Sequence, residues 1–157
     1  YYLFKFINLI APLTLERNRC WHVRNKLNIS DMRKAASYLI GKHDFTTFRS
    51  SLCQAQSPIK SLDKIEISDS SSFAGVSILV EFEARSFLHN QIRSIIGTLE
   101  KVGSKSWSPE RVKVVLDAKS RITCGPVAPP SGLYLTKIDY EKNIFFQSEL
   151  DLTSVVK

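Results

Sequence analysis

Alternation of apolar and polar positions marks two long strands. Residues 2–8 alternate aromatic and aliphatic side chains with polar ones, and residues 76–84 carry a run of apolar side chains on one face. This one-sided pattern predicts strands that turn one face to a core and the other to water. Residues 64–67 are predicted to pair with the second strand through a serine-rich turn that contains Gly75.

Helical spacing of apolar residues predicts three helices. Ser30 is the expected N-cap of the first, and Gly41 is expected to end it. Residues 88–102 place their isoleucines and leucines in helical register, and Gly103 follows as a stop. Residues 108–110, Ser-Pro-Glu, have the composition of a helix start.

The remaining segments complete the predicted fold. Residues 11–24 and the proline-rich residues 125–132 are predicted to be loops. Leu133 to Tyr140 is expected to form a last long strand, which a short one can follow from Asn143 to Phe146. Because strands and helices do not alternate strictly, the sequence predicts an α+β fold, with a mostly antiparallel sheet and helices packed on one face.

Composition bounds the class of protein. The 157 residues are 43% hydrophobic and 24% charged, which suits one globular domain. The longest uncharged stretch, residues 122–136, holds three prolines and two glycines, so no membrane helix is expected. Three scattered cysteines predict reduced thiols in the cytosol, and no metal motif is visible. Because the chain opens with Tyr1 rather than Met, we expect it to be the rear part of a longer protein.

Positive charge is concentrated at the front of the chain. Residues 1–49 hold nine Lys and Arg against three acidic residues, a balance of +6 out of a net +7. Such a segment favours a polyanionic partner, either nucleic acid or an anionic membrane. A solvated basic surface explains the charge equally well, and charge alone does not separate the two.

Arg93 is an unusual residue for its position, since it lies between Ile92 and Ile95 in the most apolar helix. Arginine is rarely buried without a partner. Two interpretations remain open from the pattern. The side chain either reaches past the apolar stripe to water, or its planar guanidinium meets a carboxylate or phosphate. The dipeptide His43-Asp44 is interpreted as a loop-fixing element rather than a catalytic pair.

Four segments together resemble the C-terminal part of the tRNA pseudouridine synthase A (TruA) family. They are His43–Arg49 (HDFTTFR), Ala84–Gly97 (ARSFLHNQIRSIIG), Gly125–Leu135 (GPVAPPSGLYL) and the opening Tyr1–Phe4 (YYLF). The first three are similar to the family's HDF-[ST]-x-FR, A-x-x-F-L-x-x-x-[VI]-R-x-[IM]-[VI]-G and GP-x-APP-x-GLYL segments. The fourth is similar to the end of its R-x-Y-x-Y strand, although Phe4 stands where the family usually has a second Tyr. Arg85 likewise replaces the usual Asn.

The resemblance implies an enzyme that isomerises uridine to pseudouridine in the anticodon stem-loop of tRNA, with no cofactor and no metal. It implies a cytoplasmic homodimer of chains with two α+β subdomains, of which residues 1–157 form the C-terminal RNA-binding and catalytic one. The family's catalytic Asp lies in a GRTD-A-G-type segment of an N-terminal half that this chain lacks. No Asp here has that context, so we assign no nucleophile and expect the chain to be inactive alone.

The resemblance also assigns roles to particular residues. Arg93 matches the arginine that pairs with the catalytic Asp, Tyr2 the tyrosine that packs on the target base, and Leu133 the leucine that walls its pocket. Weaker candidates for contacts with the tRNA backbone are Arg17, Arg19, Arg24, Lys26, Lys42 and Arg49. The alternative function is a non-catalytic RNA-binding or assembly module, which would have no use for a carboxylate partner at Arg93.

Overall fold

The computed structural model describes residues 1–72 and 75–140. The strands are β1 (Tyr2–Asn8), β2 (Trp21–Val23), β3 (Gly41–Asp44), β4 (Ile59–Leu62), β5 (Lys64–Ser72), β6 (Gly75–Glu83) and β7 (Leu133–Leu135). The helices are α1 (Ile29–Ser37), α2 (Gln91–Gly103) and α3 (Arg111–Asp117), with short 3₁₀ turns at Thr46–Phe48, Arg121–Thr123 and Pro130–Gly132. The α+β class is confirmed. The strand predicted from Asn143 to Phe146 lies outside the described residues.

The main sheet is mixed, which corrects the expectation of a mostly antiparallel one. β1 pairs antiparallel with β6 along its whole length, and β6 pairs antiparallel with β5. On its other edge β1 pairs antiparallel with β7 and, over Phe6–Asn8, parallel with β2. β2 lies in a segment predicted to be a loop. Three residues are too few to show a hydrophobic period. The pairing depends on the ring of Trp21, which stacks on the ring of Phe6 with the ring centroids 5.2 Å apart.

The core lies between one face of this sheet and the helices. Phe4 and Phe6 of β1 and Ile78 and Val80 of β6 are fully buried, as the alternating pattern predicts. The helices contribute Met32, Ala35, Ala36, Ile92, Ile95, Ile96, Leu99, Val102, Val112, Val115 and Leu116 to the same cluster. The helices therefore pack on one face of the sheet, and the first turn of α2 lies close to Tyr2 at the start of β1.

Two boundaries of α1 differ from the prediction. Asn28, not Ser30, is the N-cap, and its Oδ1 accepts a hydrogen bond from Asp31 N at 2.9 Å. Helix α1 ends at Ser37, and Gly41 instead opens β3 with a φ of +105°. Both residue types are N-caps in general, so the choice between them depends on tertiary contacts. Asn28 N donates to Gly103 O at 2.8 Å, which fixes this cap against the end of α2.

Other elements differ in length or were missed. β3 and β4 form a separate two-stranded sheet that the sequence pattern did not predict. β5 continues well past residue 67, whereas β7 ends at Leu135 rather than Tyr140. Helix α2 begins three residues later than predicted, and α3 begins at Arg111 after a turn over residues 108–110.

Candidate functional site

The guanidinium of Arg93 is held in a defined orientation in the first turn of α2. Its Nε donates to Ala128 O at 2.7 Å, and its Nη1 donates to Asn90 Oδ1 at 3.0 Å. Among the residues that the structure describes, none accepts a hydrogen bond from Nη2, and no carboxylate is within ion-pair distance. The half-buried side chain therefore presents one side of its guanidinium to an open groove.

The loop formed by residues 125–132 is docked tightly on α2. Ala128 N donates back to Arg93 O at 3.0 Å, and Gly125 N donates to Thr98 Oγ1 at 3.2 Å. A Cβ on Gly97 would lie only 1.7 Å from Pro126 O. The backbones of the helix and the loop can approach this closely only because Gly97 has no side chain. This contact brings two segments that are far apart in sequence into one site.

A groove of about 530 Å³ opens beside Arg93. Its lining includes Tyr2, Phe87, Asn90, Arg93, Pro130 and Leu133. Tyr2 and Leu133 reach it from one face of the sheet, because β1 and β7 pair with Phe4 opposite Leu133 and Tyr2 opposite Leu135. The Tyr2 ring meets Phe87 edge to face, with centroids 5.3 Å apart. The structure thus places Tyr2, Arg93 and Leu133 around one groove.

A neighbouring groove of about 480 Å³ has a different character, although Tyr2 and Phe87 line it too. It carries the carboxylates of Asp63, Glu83 and Asp139. Hydrogen bonds to Asp139 and then Glu83 raise the pKa of the Tyr1 hydroxyl to about 12. Arg85 and Lys137 line the same groove and offset most of this negative charge. The groove at Arg93 is the stronger candidate, because it brings together the three residues that the resemblance singled out.

The segment with Arg17 and Arg19 is attached to the wall of the groove at Arg93. Ser131 Oγ donates to Cys20 O at 3.3 Å, and Tyr134 Oη donates to Arg19 O. Arg19 lines a surface depression together with Pro130 and Leu133, both of which also line the groove at Arg93. The exposed side chain of Arg19 therefore lies on a surface that continues from the groove. The exposed Arg17 lines a separate depression with Pro129 and Ser131 of the same loop.

The other predicted tRNA-contact residues lie elsewhere. Arg24 and Lys26 are exposed near the Asn8 end of β1, about 20 Å along the strand from Tyr2. Lys42 is exposed on β3, in the separate small sheet. Arg49 is half-buried, and its Nη2 donates to Cys53 O and Ala55 O, each at 2.7 Å. Its guanidinium thus stabilises a loop, which leaves less of it for a ligand.

The sequence analysis assigned no role to Asn90, Phe87 or Ala128, although all three contact a predicted site residue. Phe87 and Asn90 lie in the segment Ala84–Gly97, which resembles the family and contains Arg93, so the sequence could have indicated them. Ala128 contributes only backbone atoms to Arg93, and no side-chain pattern identifies such a contact.

Within residues 1–72 and 75–140, no three His, Cys, Asp or Glu side chains are grouped as metal ligands. In the same residues, no helix is long and apolar enough to cross a membrane.

Comparison with known proteins identifies a family for most of the chain. The profile of a family described as tRNA pseudouridine synthase matches residues 35–141. A protein named tRNA pseudouridine synthase A from Dinoroseobacter shibae is 51% identical over 144 residues, which cover 92% of this chain and 56% of the relative. Proteins of the same name from Paracoccus denitrificans and Parvibaculum lavamentivorans are each 50% identical, over 147 and 141 residues.

These alignments cover 94% and 90% of the chain, and in both cases 56% of the relative. The chain thus spans about half the length of the curated relatives that it matches. The matched residues include Arg93 and Leu133, which line the groove, and Ala128, which is hydrogen-bonded to Arg93. The extent of the profile match and the identity to these relatives lead to one conclusion: this chain belongs to the tRNA pseudouridine synthase family.

Proposed function

We propose that the protein containing this chain isomerises uridine to pseudouridine in the anticodon stem-loop of tRNA, as a cytoplasmic homodimer. The observation that carries the proposal is the convergence of Tyr2, Arg93 and Leu133 on one groove. These residues lie on β1, α2 and β7, and no local pattern requires them to meet. The names of the relatives support the same reaction.

The reaction is an internal rearrangement of the nucleotide. The bond from the ribose C1′ to uracil N1 breaks, the uracil turns, and a new bond joins C1′ to C5. The C5 proton is lost and N1 gains a proton, so the atoms balance without an oxidant or reductant. Because the base must leave its stack to react, the enzyme needs a cavity open to the surface, and the groove at Arg93 has that form.

Arg93 is proposed to pair with the nucleophilic aspartate. That residue would come from an N-terminal half, with residues 1–157 acting as the C-terminal subdomain. A carboxylate docked against Nη2 would be kept ionised by the adjacent positive charge. The planar guanidinium also fixes the direction of the carboxylate, which a lysine ammonium would not do. The absence of any described acceptor on Nη2 supports this role.

Tyr2 and Leu133 are proposed to enclose the target uracil. Leu133 offers an apolar wall, and the ring of Tyr2 is fixed by its contact with Phe87, so it can pack on the base. The Tyr2 hydroxyl has no hydrogen-bond partner among the described residues, so its oxygen can take the C5 proton while its own proton passes to solvent. Arg19 is proposed to bind a phosphate beside the groove, where its surface joins it at Pro130. Arg17 is proposed to bind a phosphate at the adjacent depression formed with Pro129 and Ser131.

The test uses the full-length protein and unmodified tRNA labelled with tritium at uridine C5. Release of tritium, followed by mapping of pseudouridine in the product, is the expected result. The present chain alone is expected to release none. If the full-length protein bound tRNA without releasing tritium, the alternative of a non-catalytic RNA-binding or assembly module would replace the proposal.

A further inference from the structure

Asn90 has an unusual backbone conformation next to Arg93. It is the residue before α2, with a φ of +61° and a ψ of +7°, in the left-handed region. Asn adopts this region more readily than most other residues do, and glycine adopts it at no steric cost. Glycine would therefore satisfy the backbone conformation at position 90 equally well.

The Asn90 side chain does not cap the helix that it precedes. An asparagine at this position usually accepts a hydrogen bond from a backbone N–H of the first turn, as Asn28 does at α1. Asn90 makes no such bond. Its Oδ1 instead accepts from Arg93 Nη1 at 3.0 Å, one turn further along α2. The adjacent turn is closed by Gln91, whose Oε1 accepts from Leu88 N at 2.8 Å.

Two fixed hydrogen bonds determine the orientation of the whole guanidinium, because the group is planar. The bond from Nε to Ala128 O is made to a backbone atom and fixes one edge. The bond from Nη1 to Asn90 Oδ1 fixes a second direction in the plane. With both in place, Nη2 has only one position, and the Arg93 side chain lines the groove shared with Tyr2 and Leu133.

We infer that Asn90 is a positioning residue: its amide oxygen holds Arg93 so that Nη2 is directed at the reacting carboxylate. The inference rests on the proposed function of Arg93. Loss of the amide would leave the guanidinium tethered at Nε and free to rotate away from the carboxylate. Small misplacements of a catalytic partner reduce the chemical step far more than they reduce binding of a large substrate.

The test compares Asn90→Gly and Asn90→Ala in the full-length protein. Glycine keeps the left-handed backbone and removes only the amide, whereas alanine removes the amide and strains the backbone. We expect Asn90→Gly to lower kcat roughly ten- to a hundred-fold, with KM for tRNA and Tm close to wild type. Asn90→Ala should lower kcat similarly and also lower Tm. Lys119→Gly is the matched control, since Lys119 has a φ of +47° and does not line the groove at Arg93.

The outcomes separate the possible failures. If Asn90→Gly keeps the wild-type kcat while Asn90→Ala loses stability, the residue serves only the backbone and the inference is wrong. A rise in the KM of Asn90→Gly for tRNA without a change in kcat would also overturn the inference, since that result indicates that Asn90 contacts the substrate. If the wild-type protein itself forms no pseudouridine, the proposed function fails, and the inference fails with it.

Discussion

Arg93 and Ala128 are joined by a reciprocal pair of hydrogen bonds. Arg93 Nε donates to Ala128 O at 2.7 Å, and Ala128 N donates to Arg93 O at 3.0 Å. One of the two bonds uses only backbone atoms, so it persists whatever side chain stands at position 93. Helix α2 and the proline-rich loop therefore form one unit, and this unit places Leu133 and Arg93 around the same groove.

The close approach at Gly97 predicts that Gly97→Ala destabilises the protein. The added Cβ would lie 1.7 Å from Pro126 O, a backbone atom that cannot move without displacing the loop. We expect a loss of about 3 kcal/mol in the free energy of unfolding, measured with urea. In the control, Gly103→Ala, the Cβ meets the flexible Met32 Sδ at 2.7 Å, and the loss should be smaller. Equal effects at the two sites would contradict the tight docking of the loop.

The N-cap of α1 gives a second prediction. Asn28→Ala removes the oxygen that accepts from Asp31 N and should cost about 1 kcal/mol. Ser30→Ala, at an exposed position inside the helix, should change the free energy of unfolding by less than about 0.5 kcal/mol. Urea unfolding of the two variants decides the matter. A larger loss in the free energy of unfolding for Ser30→Ala than for Asn28→Ala would indicate that Ser30 is the N-cap, as the sequence pattern predicted.

Asp44 predicts a dependence of stability on pH. The hydroxyl and then the backbone N–H of Thr46 donate to Asp44 Oδ1, at 2.6 and 2.9 Å, and these bonds lower the pKa of Asp44. A lowered folded-state pKa stabilises the protein above the ordinary value of 3.8. This stabilisation is lost as the pH falls through the folded-state value.

Asp44→Asn keeps an acceptor oxygen but removes the charge. It should therefore cost about 1 kcal/mol at neutral pH, and the difference from wild type should shrink as the pH falls through the lowered folded-state pKa of Asp44. Urea unfolding of both proteins across this range measures the difference. The control is Asp117→Asn, at an exposed pair with Lys113, which should change stability little at either pH. A difference at Asp44 that stays constant with pH would show that the charge contributes nothing.

The basic surface beside the groove predicts how tRNA affinity depends on salt. Replacing Arg17 and Arg19 by Ala should weaken binding and reduce the slope of log affinity against log salt by about one unit per lost phosphate contact. Turnover at saturating tRNA should change far less, because phosphate contacts position the substrate. Arg111→Ala with Lys113→Ala removes the same charge from α3, outside the groove at Arg93. If both double variants gave the same slope, the effect would be one of net charge.

Long periodic segments were predicted correctly from the sequence. The bounds of β1 match, and β6 and α2 differ only at their ends, because each buries a repeated set of side chains. The short strands β2, β3 and β4 could not be found in this way. Each has only three or four residues, and its pairing depends on tertiary contacts such as Phe6 against Trp21.

The candidate site shows a similar division. Arg93 was conspicuous as a charge among isoleucines, while Tyr2 and Leu133 came only from the resemblance to a family. That all three meet in one groove depends on the docking of Gly97 against Pro126 and on the pairing of β7 with β1. Contacts made through backbone atoms leave no trace in side-chain periodicity. The left-handed backbone of Asn90 was likewise not predictable, since asparagine only tolerates it.

The central claim is that the Arg93 guanidinium serves the chemical step. The most direct measurement is the single-turnover rate of pseudouridine formation at saturating tRNA, for full-length wild-type protein, Arg93→Ala and Arg93→Lys. Both variants should bind tRNA nearly normally and keep their fold, since the backbone bond from Ala128 N remains. We predict that both lower the rate at least about a hundredfold, because neither offers a planar pair of donors to a carboxylate. A rate for Arg93→Ala close to wild type would contradict the account.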